Sequence, residues 1–235
     1  MSWPTGSLPD VGVVIVAAGA GVRAGPGEPK QFRPIFGVPM LLRALRPFTS
    51  HPDVGVVVVS VPAGFEARPP EWLGKLLGER LTLVAGGATR AHSVRAGLRA
   101  LPERVAVVLV HDGARPFVSR ETIDGVITKA RSGVGAVAAA PLHDTVKEVM
   151  AGNRITRTVE RDRFWRAQTP QGFPRAMIEQ AYAGLTDGSS APTDDAELCE
   201  QAGFPVDVVP DMAHNFKVTT ADDFRIAEAL ARELR

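Results

Sequence analysis

The sequence predicts an α/β fold, with a mostly parallel twisted sheet flanked by helices. Five short runs rich in β-branched residues are apolar throughout, as expected for strands that helices cover on both faces. These runs are Val11–Val16, Val54–Val61, Leu81–Ala85, Val105–His111 and Val134–Ala140. The segments between them carry apolar residues at helix spacing, and alternation of strands with helices is typical of a parallel sheet.

Helices are predicted between the strands and after the last of them. The expected helices are Pro39–Thr49, Thr89–Leu101, Ser119–Arg131, Pro174–Leu185, one that opens at Thr193–Asp195, and one from about Thr220 to Leu234. A last strand is predicted at Val206–Val209. Because no linker divides the chain, we expect residues 1–235 to form a single domain, with residues 1–10 as a flexible tail.

The pattern changes after Pro141. Two short runs, Thr145–Val149 and Arg154–Val159, flank a turn at Ala151-Gly152-Asn153, which predicts a β-hairpin. We expect a dimerisation arm at about residues 142–172, because the unpaired edges of such an excursion are suited to cover by a second subunit.

Composition excludes several classes of protein. No apolar run approaches the roughly 18 residues that a membrane span needs. The 27 Lys and Arg residues against 26 Asp and Glu leave a net charge of +1 with no basic block, so no nucleic-acid partner is expected. The N-terminus does not resemble a signal peptide, and the single cysteine, Cys199, fits a reducing cytoplasm.

A glycine-rich loop follows the first predicted strand, where open α/β sheets bind ligands. Residues 19–24 match G-x-G-x-x-A, but Pro26 and Pro29 prevent the helix that a dinucleotide-binding loop requires, and no Walker A motif is present. What remains is a long loop with exposed amides and two cations, Arg23 and Lys30. Such a loop is suited to wrapping a triphosphate, although an ordinary solvated loop has the same composition.

Further polar motifs follow the other predicted strands. They are Gly86-Gly87-Ala88-Thr89-Arg90 leading to Ser93, His111-Asp112-Gly113-Ala114-Arg115-Pro116, Asp144-Thr145 with Lys147, Thr193-Asp194-Asp195, and Asn215-Phe216-Lys217-Val218-Thr219. Asp112 could hold a magnesium ion that bridges phosphates. Thr193-Asp194-Asp195 and Thr220 also have the pattern of helix caps, with threonine as the cap in each case.

In this order, the motifs closely resemble the 2-C-methyl-D-erythritol 4-phosphate cytidylyltransferases of the non-mevalonate isoprenoid pathway. The resemblance runs from about Val11 to the C-terminus and depends on the ordered set of motifs. It implies a Rossmann-like nucleotidyltransferase fold, a homodimer with exchanged arms, and CTP with Mg²⁺ as reactants. The family usually has an acidic pair before the arginine of the Gly-Gly motif, where this chain has Ala88 and Thr89.

The resemblance also implies a role for individual residues. The catalytic cations would be Arg23, Lys30 and Lys217. The nucleotide would be held by Ala17, Ala18, Gly19, Gly86, Gly87, Ser93 and Asp112, with Asp112 also the metal ligand. The methylerythritol phosphate would be held by Thr145, Arg161 and Thr169 of the partner's arm, together with Arg115, Thr193 and Lys217.

These residue types suit nucleotidyl transfer. A phosphate monoester with a second pKa of about 6 is already largely ionised, so no strong general base is needed. The main demand is for cations that neutralise the phosphates. Two alternatives stay open, namely a ribitol 5-phosphate cytidylyltransferase and a noncatalytic nucleotide-binding module. An NAD-dependent oxidoreductase is disfavoured by the prolines in the loop.

Overall fold

The computed structural model describes residues 9–19, 29–185 and 192–234. The strands are β1 (Val11–Val16), β2 (Pro34–Ile35), β3 (Val38–Pro39), β4 (Val54–Val61), β5 (Leu81–Ala85), β6 (Val107–Asp112), β7 (Gly135–Pro141), β8 (Val146–Val149), β9 (Ile155–Val159), β10 (Trp165–Pro174) and β11 (Val206–Pro210). The α-helices are α1 (Met40–Thr49), α2 (Glu71–Gly74), α3 (Arg90–Ala100), α4 (Arg120–Arg131), α5 (Arg175–Ala183), α6 (Asp195–Gln201) and α7 (Ala221–Glu233). Short 3-10 helices lie at Lys30–Phe32 and Arg161–Arg163.

Seven strands form the main sheet in the order β11-β7-β10-β6-β1-β4-β5. All neighbouring pairs are parallel except those of β10, which is antiparallel to both β6 and β7. The predicted mostly parallel sheet is therefore confirmed. Because β1, β5 and β6 run in the same direction, their carboxyl ends lie at the same edge of the sheet.

Helices cover both faces of the sheet, which explains the continuously apolar strands. Alternate residues of β1 face opposite sides, so that Ile15 joins the core beneath α1 and α4, whereas Val14 joins the core beneath α3, α5 and α6. Cys199 of α6 is fully buried in the second core, as a small apolar residue would be. The sheet is thus packed on both faces beneath the loops that follow its strands.

Polar side chains fix the start of four helices. Thr89, Ser119 and Thr220 cap α3, α4 and α7, and Thr220 completes the predicted capping box with Asp223. The prediction of a threonine cap on α6 is wrong by one residue. Its N-cap is Asp194, whose carboxylate accepts a hydrogen bond from the Glu197 amide at 2.9 Å.

Strand β10 was not predicted, and it changes the boundary of the arm. Trp165 pairs with Pro141 of β7, and Gly172 pairs with Leu109 of β6, so residues from 165 onward belong to the main sheet. The excursion from the sheet is therefore the β8–β9 hairpin and the segment up to residue 164. Its turn contains Gly152 and Asn153 at positive φ, where glycine and asparagine are the favoured residues.

No helix within residues 9–19, 29–185 and 192–234 is both long enough and apolar enough to cross a membrane.

Candidate active site

A cavity of about 520 Å³ opens at the carboxyl ends of β1, β5 and β6. Eight of the residues singled out in the sequence line it, namely Ala17, Ala18, Gly19, Lys30, Gly87, Ser93, Asp112 and Lys217. The structure therefore brings together the strand-end motifs that are far apart in the chain. Arg23, the other predicted catalytic cation, lies outside the described residues.

Asp112, at the end of β6, is surrounded by cations. Its Oδ2 lies 2.9 Å from Nζ of Lys217 and 3.7 Å from Nε of Arg115, and its Oδ1 lies 3.3 Å from Nε of Arg90. Burial alone would raise the pKa of Asp112, but the charges of Arg90, Lys217 and Arg115 hold that pKa well below its usual range. Asp112 is therefore ionised and holds Lys217 at the cavity.

Arg90 is a site residue that the sequence did not single out. It is the first residue of α3 and lines the cavity, and its Nη2 donates to Oδ2 of Asp195 at 2.7 Å. Asp195 is fully buried and also accepts a hydrogen bond from the Tyr182 hydroxyl at 2.6 Å. Burial acts to lower the pKa of Arg90, but Asp195 and Asp112 raise that pKa above its ordinary value, so Arg90 stays charged.

Thr169 is buried beside Asp112. Its Oγ1 accepts a hydrogen bond from the Asp112 amide at 3.0 Å and lies 3.0 Å from Nδ1 of His111. His111 Nε2 donates to the Arg115 carbonyl at 3.0 Å, so Nδ1 is the acceptor for the threonine hydroxyl. The Thr169 side chain thus fixes the end of β6, where Asp112 enters the cavity.

Arg115 is largely buried and binds backbone next to Lys217 from beneath the cavity. Its Nη1 donates to the Asn215 carbonyl at 2.7 Å, while the Asn215 side-chain amide donates to the Thr169 carbonyl at 2.8 Å. These bonds join β6 and β10 to the segment that carries Lys217. Arg115 therefore supports the position of Lys217, in addition to its pairing with Asp112.

Lys30 and Gln31 join the end of the glycine-rich loop to the cavity wall. Lys30 Nζ donates to the Val218 carbonyl at 2.8 Å, next to Lys217. Gln31 is buried, and its Nε2 donates to the Ala17 carbonyl at 2.7 Å. Two of the predicted catalytic cations, Lys30 and Lys217, consequently line the same cavity, and Lys30 binds the residue that follows Lys217.

The Gly-Gly motif is held in place by close contacts. A Cβ atom added at Gly86 would lie 2.1 Å from Cβ of Ala18, so the loop after β1 can approach only a glycine there. Ser93 Oγ accepts from the Gly87 amide at 3.1 Å and donates to the Thr89 carbonyl at 3.0 Å. Thr89, which replaces an acidic residue of the family pattern, caps α3.

Five predicted acceptor residues do not line this cavity. Thr169 and Arg115 are the two buried residues described above, and the other three are Thr145, Arg161 and Thr193. Thr145 and Arg161 lie exposed on the excursion from the sheet, where Arg161 Nη1 donates to the His143 carbonyl. Thr193 Oγ1 donates to Glu197 Oε2 at 2.8 Å, one residue before the cap of α6. Arg161 and Thr193 thus bind neighbours in their own chain.

The residues at the cavity fit a magnesium ion that arrives with phosphates rather than one held in a protein cage. Among the described residues, no group of three or more His, Cys, Asp or Glu side chains could hold a metal. One ionised carboxylate, that of Asp112, lines the cavity beside the cations. Mg²⁺ is commonly bound by one or two carboxylates together with substrate phosphates and water.

An open α/β sheet with fixed cations in a cavity at its strand ends defines a nucleotide-binding α/β protein. A model of the family "2-C-methyl-D-erythritol 4-phosphate cytidylyltransferase" matches residues 11–233. The chain therefore belongs to this family, and its fold is the Rossmann-like nucleotidyltransferase fold of that family.

Individual members of the family are similar to this chain over nearly its whole length. The 2-C-methyl-D-erythritol 4-phosphate cytidylyltransferase of Syntrophus aciditrophicus is 38% identical over 96% of this chain and 97% of its own length. That of Streptomyces coelicolor is 44% identical over 94% of this chain and 85% of its own length. The crystal structure of the Thermus thermophilus enzyme has a TM-score of 0.79 and 37% identity, covering 95% of this chain and 99% of that one.

Proposed function

We propose that this chain transfers the cytidylyl group of CTP to 2-C-methyl-D-erythritol 4-phosphate, giving 4-diphosphocytidyl-2-C-methyl-D-erythritol and pyrophosphate. The observation that carries the proposal is the cavity that Lys30, Lys217 and Asp112 line together, in a chain of this family. The product serves isoprenoid precursor biosynthesis by the non-mevalonate pathway.

In this reaction, an oxygen of the acceptor phosphate attacks the α-phosphorus of CTP, and the bond from that phosphorus to the bridging oxygen of pyrophosphate breaks. The acceptor phosphate is ionised near neutral pH and needs no general base. Negative charge increases on the departing pyrophosphate, so positively charged side chains stabilise the transition state. Lys30, Lys217 and Arg23 are the residues that we assign to this role.

The contacts of the two lysines suit this role. Lys30 donates to a backbone carbonyl, and Lys217 is 41% exposed while paired with Asp112, so both ammonium groups are held at the cavity. Asp112 would hold a magnesium ion, which when bound supplies further positive charge at the phosphates. Ala17, Ala18 and Gly19 line the cavity without large side chains, which leaves room for the nucleotide beside the strand ends.

We propose that the acceptor site is completed by a second copy of the chain. The β8–β9 hairpin exposes Val149, Met150 and Ile155, each more than half exposed, and Phe164 and Trp165 follow it with 48% and 41% exposure. Apolar side chains concentrated on one excursion are typical of an interface between subunits. Thr145 and Arg161 would then reach the partner's cavity rather than their own.

Pyrophosphate release by the purified protein tests the reaction. With CTP and Mg²⁺, we expect release with methylerythritol phosphate and none with ribitol 5-phosphate. Lys30→Ala is expected to lower kcat by about 100- to 1000-fold, the usual effect of losing one donor that stabilises transition-state charge. Lys75→Ala is the matched control, because Lys75 is 71% exposed, pairs with Glu71 four residues before it and does not line the cavity.

Each other outcome identifies a different error. Release with ribitol 5-phosphate alone would leave the nucleotide site in place and overturn the acceptor assignment. CTP binding without release with either acceptor would favour a noncatalytic nucleotide-binding module. Full activity of Lys30→Ala would remove Lys30 from the catalytic residues.

A further inference from the structure

Two buried residues outside the cavity hold one of its walls. The Tyr182 hydroxyl of α5 donates to Asp195 Oδ1 at 2.6 Å, and Arg90 donates to Asp195 Oδ2 at 2.7 Å. Asp195 is 0% exposed and Tyr182 is 5% exposed, so solvent does not compete with either bond. Both oxygens of the Asp195 carboxylate are therefore used, and one of them holds a cavity residue.

The backbone of Asp195 is fixed as firmly as its side chain. The Gln171 Oε1 atom accepts from the amides of Asp195 at 3.0 Å and Ala196 at 2.9 Å, and its Nε2 donates to Asp194 at 2.9 Å. Gln171 lies on β10, in the middle of the sheet. These hydrogen bonds join the start of α6 to the sheet, and they fix the position of the Asp195 carboxylate.

The position of Asp195 decides how Arg90 meets Asp112. Because Nη2 of Arg90 binds Asp195, only the Nε edge faces Asp112, at 3.3 Å. Released from Asp195, the guanidinium could form a bidentate pair with Asp112, and such pairs are among the strong charge-assisted contacts. That pair would compete with Lys217, which now lies 2.9 Å from Asp112.

Protonation states agree with this arrangement. Burial raises the pKa of the Tyr182 hydroxyl, and the charge of Asp195 raises that pKa further, so the hydroxyl remains a donor near neutral pH. Arg90 stays charged beside its two carboxylates. A continuous series of hydrogen bonds and ion pairs thus runs from Tyr182 through Asp195, Arg90 and Asp112 to Lys217.

We propose that Tyr182 and Asp195 are positioning residues for nucleotide binding, which act by holding Arg90 in the cavity wall and leaving Asp112 to Lys217. The inference rests on the proposed function, since it concerns the CTP site of that reaction. Its particular consequence is an effect on CTP affinity that is larger than the effect on the chemical step. Neither residue lines the cavity.

Tyr182→Phe tests the inference, because it removes the hydroxyl without leaving a cavity. We expect the Kd for CTP with Mg²⁺, measured by calorimetry, to rise roughly three- to tenfold, the range for losing one hydrogen bond. The KM for CTP should rise in parallel, and kcat should fall by a smaller factor than the Kd rises. Asp195→Asn, which removes the charge that holds Arg90, should weaken CTP binding further.

Ile127→Val controls for lost stability, because Ile127 is on the buried face of α4 and does not line the cavity. Both this variant and Tyr182→Phe should melt at a lower temperature, but only Tyr182→Phe should change the Kd. A lower melting temperature with unchanged Kd and KM would overturn the positioning role.

The wild-type protein separates this inference from the proposed function. If it binds CTP but transfers nothing to methylerythritol phosphate, the reaction is wrong, and the Kd comparison still decides the positioning role. If it binds no CTP, both proposals fail.

Discussion

The hydroxyl of Thr169 organises the end of β6 through a directed series of hydrogen bonds. The Asp112 amide donates to this hydroxyl, which donates to His111 Nδ1, while His111 Nε2 donates to the Arg115 carbonyl. Each of these donors and acceptors is used once, so the neutral imidazole is the form that fits. Protonation of His111 would place a second donor against the Thr169 hydroxyl and break the series.

Stability should therefore depend on the charge of His111. Burial lowers the pKa of His111 from about 6.5 to about 4 in the folded protein. Between those two values the unfolded chain binds the proton and the folded chain does not, so the free energy of unfolding falls as the pH falls. The loss from His111 over this window is about 3 kcal/mol.

Urea unfolding at several pH values from about 6.5 to 4 measures this loss, with His111→Gln as the comparison. Glutamine can donate and accept hydrogen bonds but does not titrate in this range. The variant should be less stable at pH 7 and should show a shallower pH dependence than the wild type. If the free energy of unfolding changes equally with pH in the variant and the wild type, His111 is not the cause of the pH dependence.

At the scale of elements, the sequence predicted the parallel strands and the main helices to within about two residues. Continuous apolar runs such as Val54–Val61 predict central strands, because both faces of such a strand are buried. Strand β10 was missed because Gln168, Thr169 and Gln171 occupy buried positions in it, alongside proline and glycine. Those polar residues serve neighbouring elements, which a local pattern cannot reveal.

The sequence predicted only part of the candidate site, because a local pattern does not reveal contacts between distant elements. Motifs at strand ends could be found because parallel strands deliver them to one edge of the sheet. Arg90 lies within such a motif, but the motif alone predicts no role for it, and Asp195 has the pattern of a helix start. Their contact spans 105 positions in the chain and arises only when the first residue of α6 lies near the first residue of α3. Tyr182 had no signal at all in the sequence.

Gly86 provides a test of the contact between two loops. Gly86→Ala would place a methyl group 2.1 Å from the Ala18 side chain, so the loop after β1 must shift. We expect a stability loss of about 1 to 3 kcal/mol and at least about tenfold weaker CTP binding, because that loop forms one wall of the nucleotide cavity. Thermal melting and calorimetric titration with CTP measure the two effects.

Gly78→Ala is the matched control, because a Cβ added at Gly78 meets no atom within 4 Å. It should bind CTP as the wild type does. If Gly86→Ala also binds CTP normally, the close approach of Ala18 is not needed for the nucleotide site.

For the whole molecule, the exposed hairpin predicts a homodimer. Ile155→Asp introduces a charge into the apolar surface of β9, and burying an unpaired charge is costly, so we expect a monomer by light scattering. Ile226→Asp is the control, because Ile226 on α7 is 56% exposed, as Ile155 is 57% exposed, but lies outside the hairpin. The monomer should retain the melting transition of a folded protein and lose turnover.

A wild-type monomer in solution would overturn the interface. A dimer that persists in Ile155→Asp but is lost in Ile226→Asp would move the interface to α7.

The buried position of Cys199 has a practical consequence for such experiments. It is the single cysteine of the chain, it is 0% exposed, and burial raises the pKa of its thiol to about 12. Because the thiolate is the form that reacts, maleimide and disulfide reagents have no native target in the folded protein near neutral pH. A cysteine introduced on the hairpin is then the one labelled position, and spectroscopic distances between two copies can be measured without removing any natural residue.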